Sequence, residues 1–185
     1  MDGNIFLTGY WQSERYFADI RDVLLKEFTF KDNPDAANRK MLARITAANA
    51  VCVHVRRGDF VTTDIGRRQH GVSGMDYYQR AFAWLQARFS GLEFFIFSDD
   101  PKWVAANFSH AGLATIVSHN ASRNDAEDLR LMMHSRHFIV ANSTFSWWAA
   151  WLGQAPGKTI IAPQHWYASG ELSEKDLVPD SWIRL

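Results

Sequence analysis

Five short apolar runs, each closed by a polar cluster, leave this chain few folds to adopt. Ala50 to Val55, Phe94 to Phe97, Ala114 to Val117, Phe138 to Ala141 and Thr159 to Ala162 are largely apolar on successive residues. A strand of that kind is buried on both faces, as in parallel sheets covered by helices. Helical patterns separate most of the runs. Residues 75–89 repeat Tyr78, Phe82, Leu85 and Phe89 at helical spacing, and Asn124 or Asp125 can cap a helix carrying Leu129, Met132 and Met133. This alternation predicts an α/β, Rossmann-like fold: a mostly parallel sheet with helices on both faces. Ahead of the first run, Gln12 to Phe28 and Pro34 to Ala48 read as two helices, with Pro34 near the first turn of the second. The expected division is a helical lead-in over 1–48 packed on a domain over 49–185.

A length of 185 residues suits one domain with a substantial core. Twenty basic residues balance twenty acidic ones, so no global field draws the chain to nucleic acid or anionic lipid. Cys52, the single cysteine, lies inside the first run, which excludes an internal disulfide and suits a small buried hydrophobe. No charged-then-apolar leader opens the sequence, and no apolar run approaches the roughly 18 residues of a membrane span. A cytoplasmic protein, at most peripheral at the inner membrane, is the expectation. The sequons at Asn107, Asn120 and Asn142 would matter only after secretion.

The polar clusters fall in a telling place. His54-Val55-Arg56-Arg57, Ser98-Asp99-Asp100, Ser118-His119-Asn120, Asn142-Ser143-Thr144 and Gln164-His165 each end one run, so the fold would gather them at one sheet edge. Open parallel sheets bind ligands outside the carboxyl ends of their strands. Arg56 and Arg57 offer permanently charged, forked donors that suit a phosphate or diphosphate. A structural ion pair with Asp59 is the competing account, and the sequence leaves both open. Arg57-Gly58-Asp59 as an adhesion tripeptide is discounted, since three common residues recur by chance.

Ala141 to Gly153 reads as a strand end, a hydroxyl-rich turn and a short helix. Its first backbone N–H groups, with Ser143, Thr144 and Ser146, form an anion site or a plain N-cap. Trp147, Trp148 and Trp151 read as core. Ser98-Asp99-Asp100-Pro101 could hold a divalent ion, accept hydrogen bonds from a base or sugar, or simply turn into a helix. His54, His70, His110, His119, His134, His137 and His165 show no HExxH spacing, and one cysteine excludes the usual zinc ribbons. No metal or other cofactor is required, because guanidinium groups and a helix start can stabilise diphosphate charge.

Taken together, His54-Val55-Arg56-Arg57-Gly58-Asp59, Phe95-Ile96-Phe97-Ser98-Asp99-Asp100, Asp128-Leu129-Arg130-Leu131-Met132 and Asn142 through Leu152 strongly resemble the bacterial α-1,2-fucosyltransferases of glycosyltransferase family 11. Gly9-Tyr10-Trp11-Gln12-Ser13-Glu14 is similar to that family's upstream sequence. The resemblance implies the C-terminal, donor-binding domain of a GT-B enzyme, with GDP-fucose as donor, inversion at the fucose anomeric carbon and a galactose-containing glycan as acceptor. It makes Arg56 the residue that grips the donor β-phosphate, with Arg57 and Asp59 shaping its loop. His54 and Asp99 would face guanosine, Ser143, Thr144, Phe145 and Ser146 would line the diphosphate, and Ser98 and Asn142 would be donor-binding too. Asp64, by position alone, is the candidate general base.

Typical members begin with a glycine-rich G-G-L-G-N-Q segment and an N-terminal acceptor half, and neither is present here. Met1 could mark a wrongly chosen gene start, a fragment, or a short protein whose oligomer or partner supplies the acceptor side. Two other readings remain: a non-catalytic nucleotide or nucleotide-sugar binding module, and a metal-dependent phosphohydrolase built on the histidines with Asp99 and Asp100.

Overall fold

The computed structural model describes residues 6, 8, 12–108, 114–120, 124–170 and 172–185. The expectations at Gly9, Tyr10, Trp11 and His110 lie outside the described residues. Strand β1 (Asn49–Val55) sits in the middle of the sheet, where burial on both sides matches its unbroken apolar sequence. It pairs in parallel with β2 (Leu92–Ser98) on one side and β4 (His137–Ile139) on the other. Strand β3 (Ala114–Val117) extends the sheet beyond β2, and β5 (Thr159–Ala162) and β6 (Ile183–Arg184) extend it beyond β4.

Among the described residues the sheet has six strands, all parallel, in the order β3-β2-β1-β4-β5-β6. This is the α/β, Rossmann-like arrangement, and its order reverses between β1 and β4. The five expected strands are present. Strand β6 was not expected, since two residues behind Trp182 give no periodic signal.

Alternate residues divide the core into two layers, as strand geometry demands. Ala50, Cys52, Phe95, Phe97, Phe138 and Ile160 face one side, and Val51, Val53, Val55, Phe94, Ile96 and Ile161 the other. On the first side lie α2 (Ala36–Ala47), α6 (Asp125–Met133) and α7 (Thr144–Leu152), through Ile45, Leu131, Met132, Trp147 and Trp151. Helices α4 (Met75–Gln86) and α5 (Pro101–Asn107) cover the second side through Tyr78, Ala81, Leu85 and Val104. Trp147 and Trp151 are buried in the core, as their spacing suggested.

The lead-in differs in detail from the sequence expectation. Glu14–Tyr16 and Ala18–Ile20 are short 3-10 turns, and α1 (Arg21–Glu27) is one brief helix rather than the end of a helix begun at Gln12. The break has a physical cause. Phe17 leaves the helical path to stack on Trp148 and meet Trp151 edge-on, each at 5.2 Å. Helix α2 begins after Pro34, where the Asp35 carboxylate accepts the Asn38 N–H at 2.8 Å. Arg21 donates to Trp151 O and Lys158 to Ala150 O and Gly153 O, so two cations close the C-terminus of α7.

Candidate functional site

The polar clusters do meet at the carboxyl edge. A cavity of about 550 Å³ opens above β1, β2 and β3, within the size range of ligand sites. Its lining comes from His54 and Arg56 after β1, Phe97, Ser98 and Asp99 at β2, Val117 and Ser118 at β3, Asp125 and Asp128 on α6, and Phe145 on α7, with Pro101.

Arg56 and Arg57 part company where β1 ends. Arg56 turns to the cavity, its Nη2 2.5 Å from Asp59 Oδ1 and its Nη1 2.9 Å from Asp99 Oδ2, with 34% of the side chain still exposed. Arg57 turns away. Its Nε meets Asp100 Oδ2 at 3.3 Å and its guanidinium lies 4.0 Å from the Trp103 ring centre. The two sequence accounts therefore each describe one residue: Arg57 is held as a structural cation, while Arg56 is paired and also faces open space. Asp99 joins them, because its Oδ1 accepts the Arg57 backbone N–H at 2.9 Å. Asp100 instead caps α5 by accepting the Trp103 N–H at 3.1 Å. Both carboxylates of the Asp99-Asp100 pair thus serve guanidinium groups, which leaves the metal-dependent hydrolase reading without its proposed ligands. Among the described residues, no group of three or more His, Cys, Asp or Glu side chains is placed to hold a metal ion.

The loop carrying this arrangement is tightly built. Helix α3 (Gly58–Thr62) follows Arg57 directly and runs into a wide turn at Gly66–His70. A Cβ on Gly58 would stand 2.5 Å from Asp99 Oδ2, and one on Gly66 would strike the Asp59 carbonyl oxygen. Phe60 stacks on His70 with ring centres 4.6 Å apart. Buried Asn142 then clamps the far side: its Nδ2 donates to His70 O at 2.9 Å, Trp166 O at 3.1 Å and Gly71 O at 3.3 Å. Asp64 lies on the same loop, is 76% exposed and pairs with Arg67, and it is not part of the cavity lining.

His54 is buried against the cavity. Tyr78 Oη donates to its carbonyl at 3.0 Å, and its ring centre is 5.7 Å from that of Phe145. Burial, with Arg56 next, pushes its pKa down to about 3, so the imidazole is neutral at pH 7. Its Nδ1 is buried with no partner among the described residues. A neutral imidazole offers one donor and one acceptor nitrogen.

The α7 start supplies less than the sequence suggested. Phe145 reaches the cavity and the Ser143 side chain makes no capping bond, so first-turn backbone donors remain. Ser146 is buried and donates to Ala141 O and Ser143 O, and exposed Thr144, like Ser143, is not among the lining residues.

Sequence reasoning missed Asp125 and Asp128 as site residues. Their spacing of three on a helix that opens toward the carboxyl edge was the available signal, since side chains so spaced share one helix face. Asp128 is half-buried; burial raises its pKa, and the hydrogen bond from Asn120 works the other way.

The sequence profile of glycosyl transferase family 11 matches residues 2–185. An α-1,2-colitosyltransferase of Escherichia coli is 36% identical over all of this chain and 64% of its own length. An O-antigen biosynthesis glycosyltransferase, WbnK, from the same species is 33% identical over 97% of this chain and 60% of its own length. A galactoside α-(1,2)-fucosyltransferase 2 of Pongo pygmaeus is 32% identical over 83% of this chain and 46% of its own length. The chain therefore spans less than two thirds of the length of these relatives.

Proposed function

Because the chain belongs to glycosyl transferase family 11, we propose that it binds a GDP-linked deoxysugar in the cavity above β1, β2 and β3 and serves transfer of fucose, with inversion, to a hydroxyl of a galactose-containing glycan. One observation carries the reading. Among the described residues the cavity places one guanidinium, Arg56, against three carboxylates, Asp99, Asp125 and Asp128, with neutral His54 and the Phe145 ring among them. A single anionic ligand satisfies such a lining only if one end carries phosphate and the other carries N–H and O–H donors, as a nucleoside diphosphate does.

In this reading the acceptor oxygen attacks the anomeric carbon as the bond to the β-phosphate oxygen breaks. Negative charge collects on departing GDP, and Arg56 with the first-turn N–H groups of α7 neutralises it, so these donors act more strongly in the transition state than on bound donor. His54 and Asp128 hold the nucleoside, beside Asp99, whose two oxygens brace Arg56 and the Arg57 backbone. Arg57, anchored on Asp100 and Trp103, shapes the loop by presenting its backbone N–H to Asp99, and Asp59 holds Arg56 between turnovers. Asn142 fixes that loop from the far side. The acceptor's proton goes to a carboxylate base; Asp64 is assigned that role from its place on the loop, and unchanged turnover in Asp64→Asn removes it.

The test is incubation with GDP-fucose, and in parallel GDP-colitose, and a galactose-terminated acceptor, with NMR assignment of linkage and anomeric configuration. An α-1,2-linked product supports the reading, and the preferred donor names the sugar. Tight GDP binding with neither transfer nor donor hydrolysis favours instead the binding-module reading.

A further inference from the structure

Asp128 is held in the cavity by a device whose parts lie far apart in sequence. Asn38, on the first turn of α2, is completely buried, and its backbone N–H is fixed by the Asp35 cap. Its side-chain amide forms a reciprocal pair with Asn120: Asn38 Nδ2 donates to Asn120 Oδ1 at 2.8 Å, and Asn120 Nδ2 returns a bond to Asn38 Oδ1 at 3.0 Å. His119 Nε2 stands 2.9 Å from the same Asn38 oxygen. The remaining Asn120 hydrogen goes to Asp128 Oδ1 at 2.8 Å. Asn38 Oδ1 and Asn120 Nδ2 each carry two of these bonds, so flipping either amide would break them. One Asp128 oxygen is thereby committed, and the carboxylate keeps its other oxygen for a ligand.

We infer that Asn38 and Asn120, locked by His119, are positioning residues that hold the Asp128 carboxylate in its nucleoside-reading orientation and so make helix α2 part of the donor site. The inference rests on the nucleotide-binding reading of the cavity. A free aspartate on a helix visits several rotamers, and fixing one beforehand removes that ordering cost from binding. Burying two amides completely would be costly without such pairing, yet a purely structural need could be met by apolar packing between α2 and α6.

A double-mutant cycle read by calorimetry with GDP and with inorganic pyrophosphate tests this. Asn38→Ala releases Asn120, whose amide bonds the Asp128 carboxylate, and should weaken GDP binding by about tenfold, the worth of that bond to a charged group, and leave pyrophosphate affinity unchanged. In an Asp128→Ala background the same substitution should weaken GDP no further. His119→Ala removes an exposed side chain that touches Asn38, so it leaves the fold intact, and it should give a smaller loss that also vanishes in that background. Equal losses for GDP and pyrophosphate, or losses additive with Asp128→Ala, would make the pair merely structural and overturn the inference alone. A wild-type chain that binds no GDP would overturn the parent reading, and the inference with it.

Discussion

Replacing Arg56 with alanine removes the one guanidinium that lines the cavity among the described residues and leaves Asp99, Asp125 and Asp128 facing any ligand. A full charge pair at about 4 Å and an effective dielectric near 20 is worth roughly 4 kcal/mol. The phosphate does not gain all of it, because Asp59 and Asp99 already hold the guanidinium and must share it. About 2–3 kcal/mol remains, which converts to a loss of roughly 30- to 150-fold in GDP affinity. Folding should hardly notice. The Arg56 side chain is one third exposed, and open ion pairs are worth about 0–1 kcal/mol. Titration calorimetry of wild type and Arg56→Ala with GDP and with guanosine separates the two ends of the ligand. Guanosine affinity should change no more than about twofold, and the GDP deficit should narrow as salt rises. GDP affinity within threefold of wild type, or equal losses for GDP and guanosine, would refute the placement of the diphosphate at Arg56.

Three further outcomes follow from the same geometry. The unfolded chain protonates His54 near pH 6.5 while the native chain resists until about 3, so stability should fall as pH drops below 6.5, by at most about 1.4 kcal/mol per unit from this group; urea melts across that window should show a shallower loss in His54→Asn, the residue coming from His137, whose pKa burial also lowers. Gly66→Ala drives a methyl into the Asp59 carbonyl, and equilibrium unfolding should show a cost of about 1–3 kcal/mol together with weaker GDP binding. Tyr77→Phe removes a buried hydroxyl that donates to Val140 O at 2.7 Å and Ile161 O at 3.0 Å, and denaturant titration should lose about 1–2 kcal/mol with GDP affinity unchanged.

Strands were the most legible part of this chain because burial on both faces leaves β1 apolar from Ala50 to Val53. The parting of Arg56 and Arg57 was not legible: neighbours at a strand end point to opposite sides, and which one faces the ligand depends on where Trp103 and Asp100 arrive from α5. Asn38 carried no signal at all, since its partner is 82 positions away and its pattern is that of any polar residue near a helix start. Aromatic packing also hid the lead-in's broken course, because Phe17 fits a helical period yet is drawn off it by Trp148 and Trp151. The clamp at Asn142, whose amide hydrogens go to three backbone carbonyls, was equally invisible, because its partners His70, Gly71 and Trp166 lie far away in sequence.

The most direct measurement is a crystal structure of the chain grown with GDP. The account predicts β-phosphate oxygens within about 3 Å of the Arg56 guanidinium, with the nucleoside against His54 and Asp128. GDP bound elsewhere, or bound in this cavity with its phosphates turned toward Asp125 and Asp128, would contradict it.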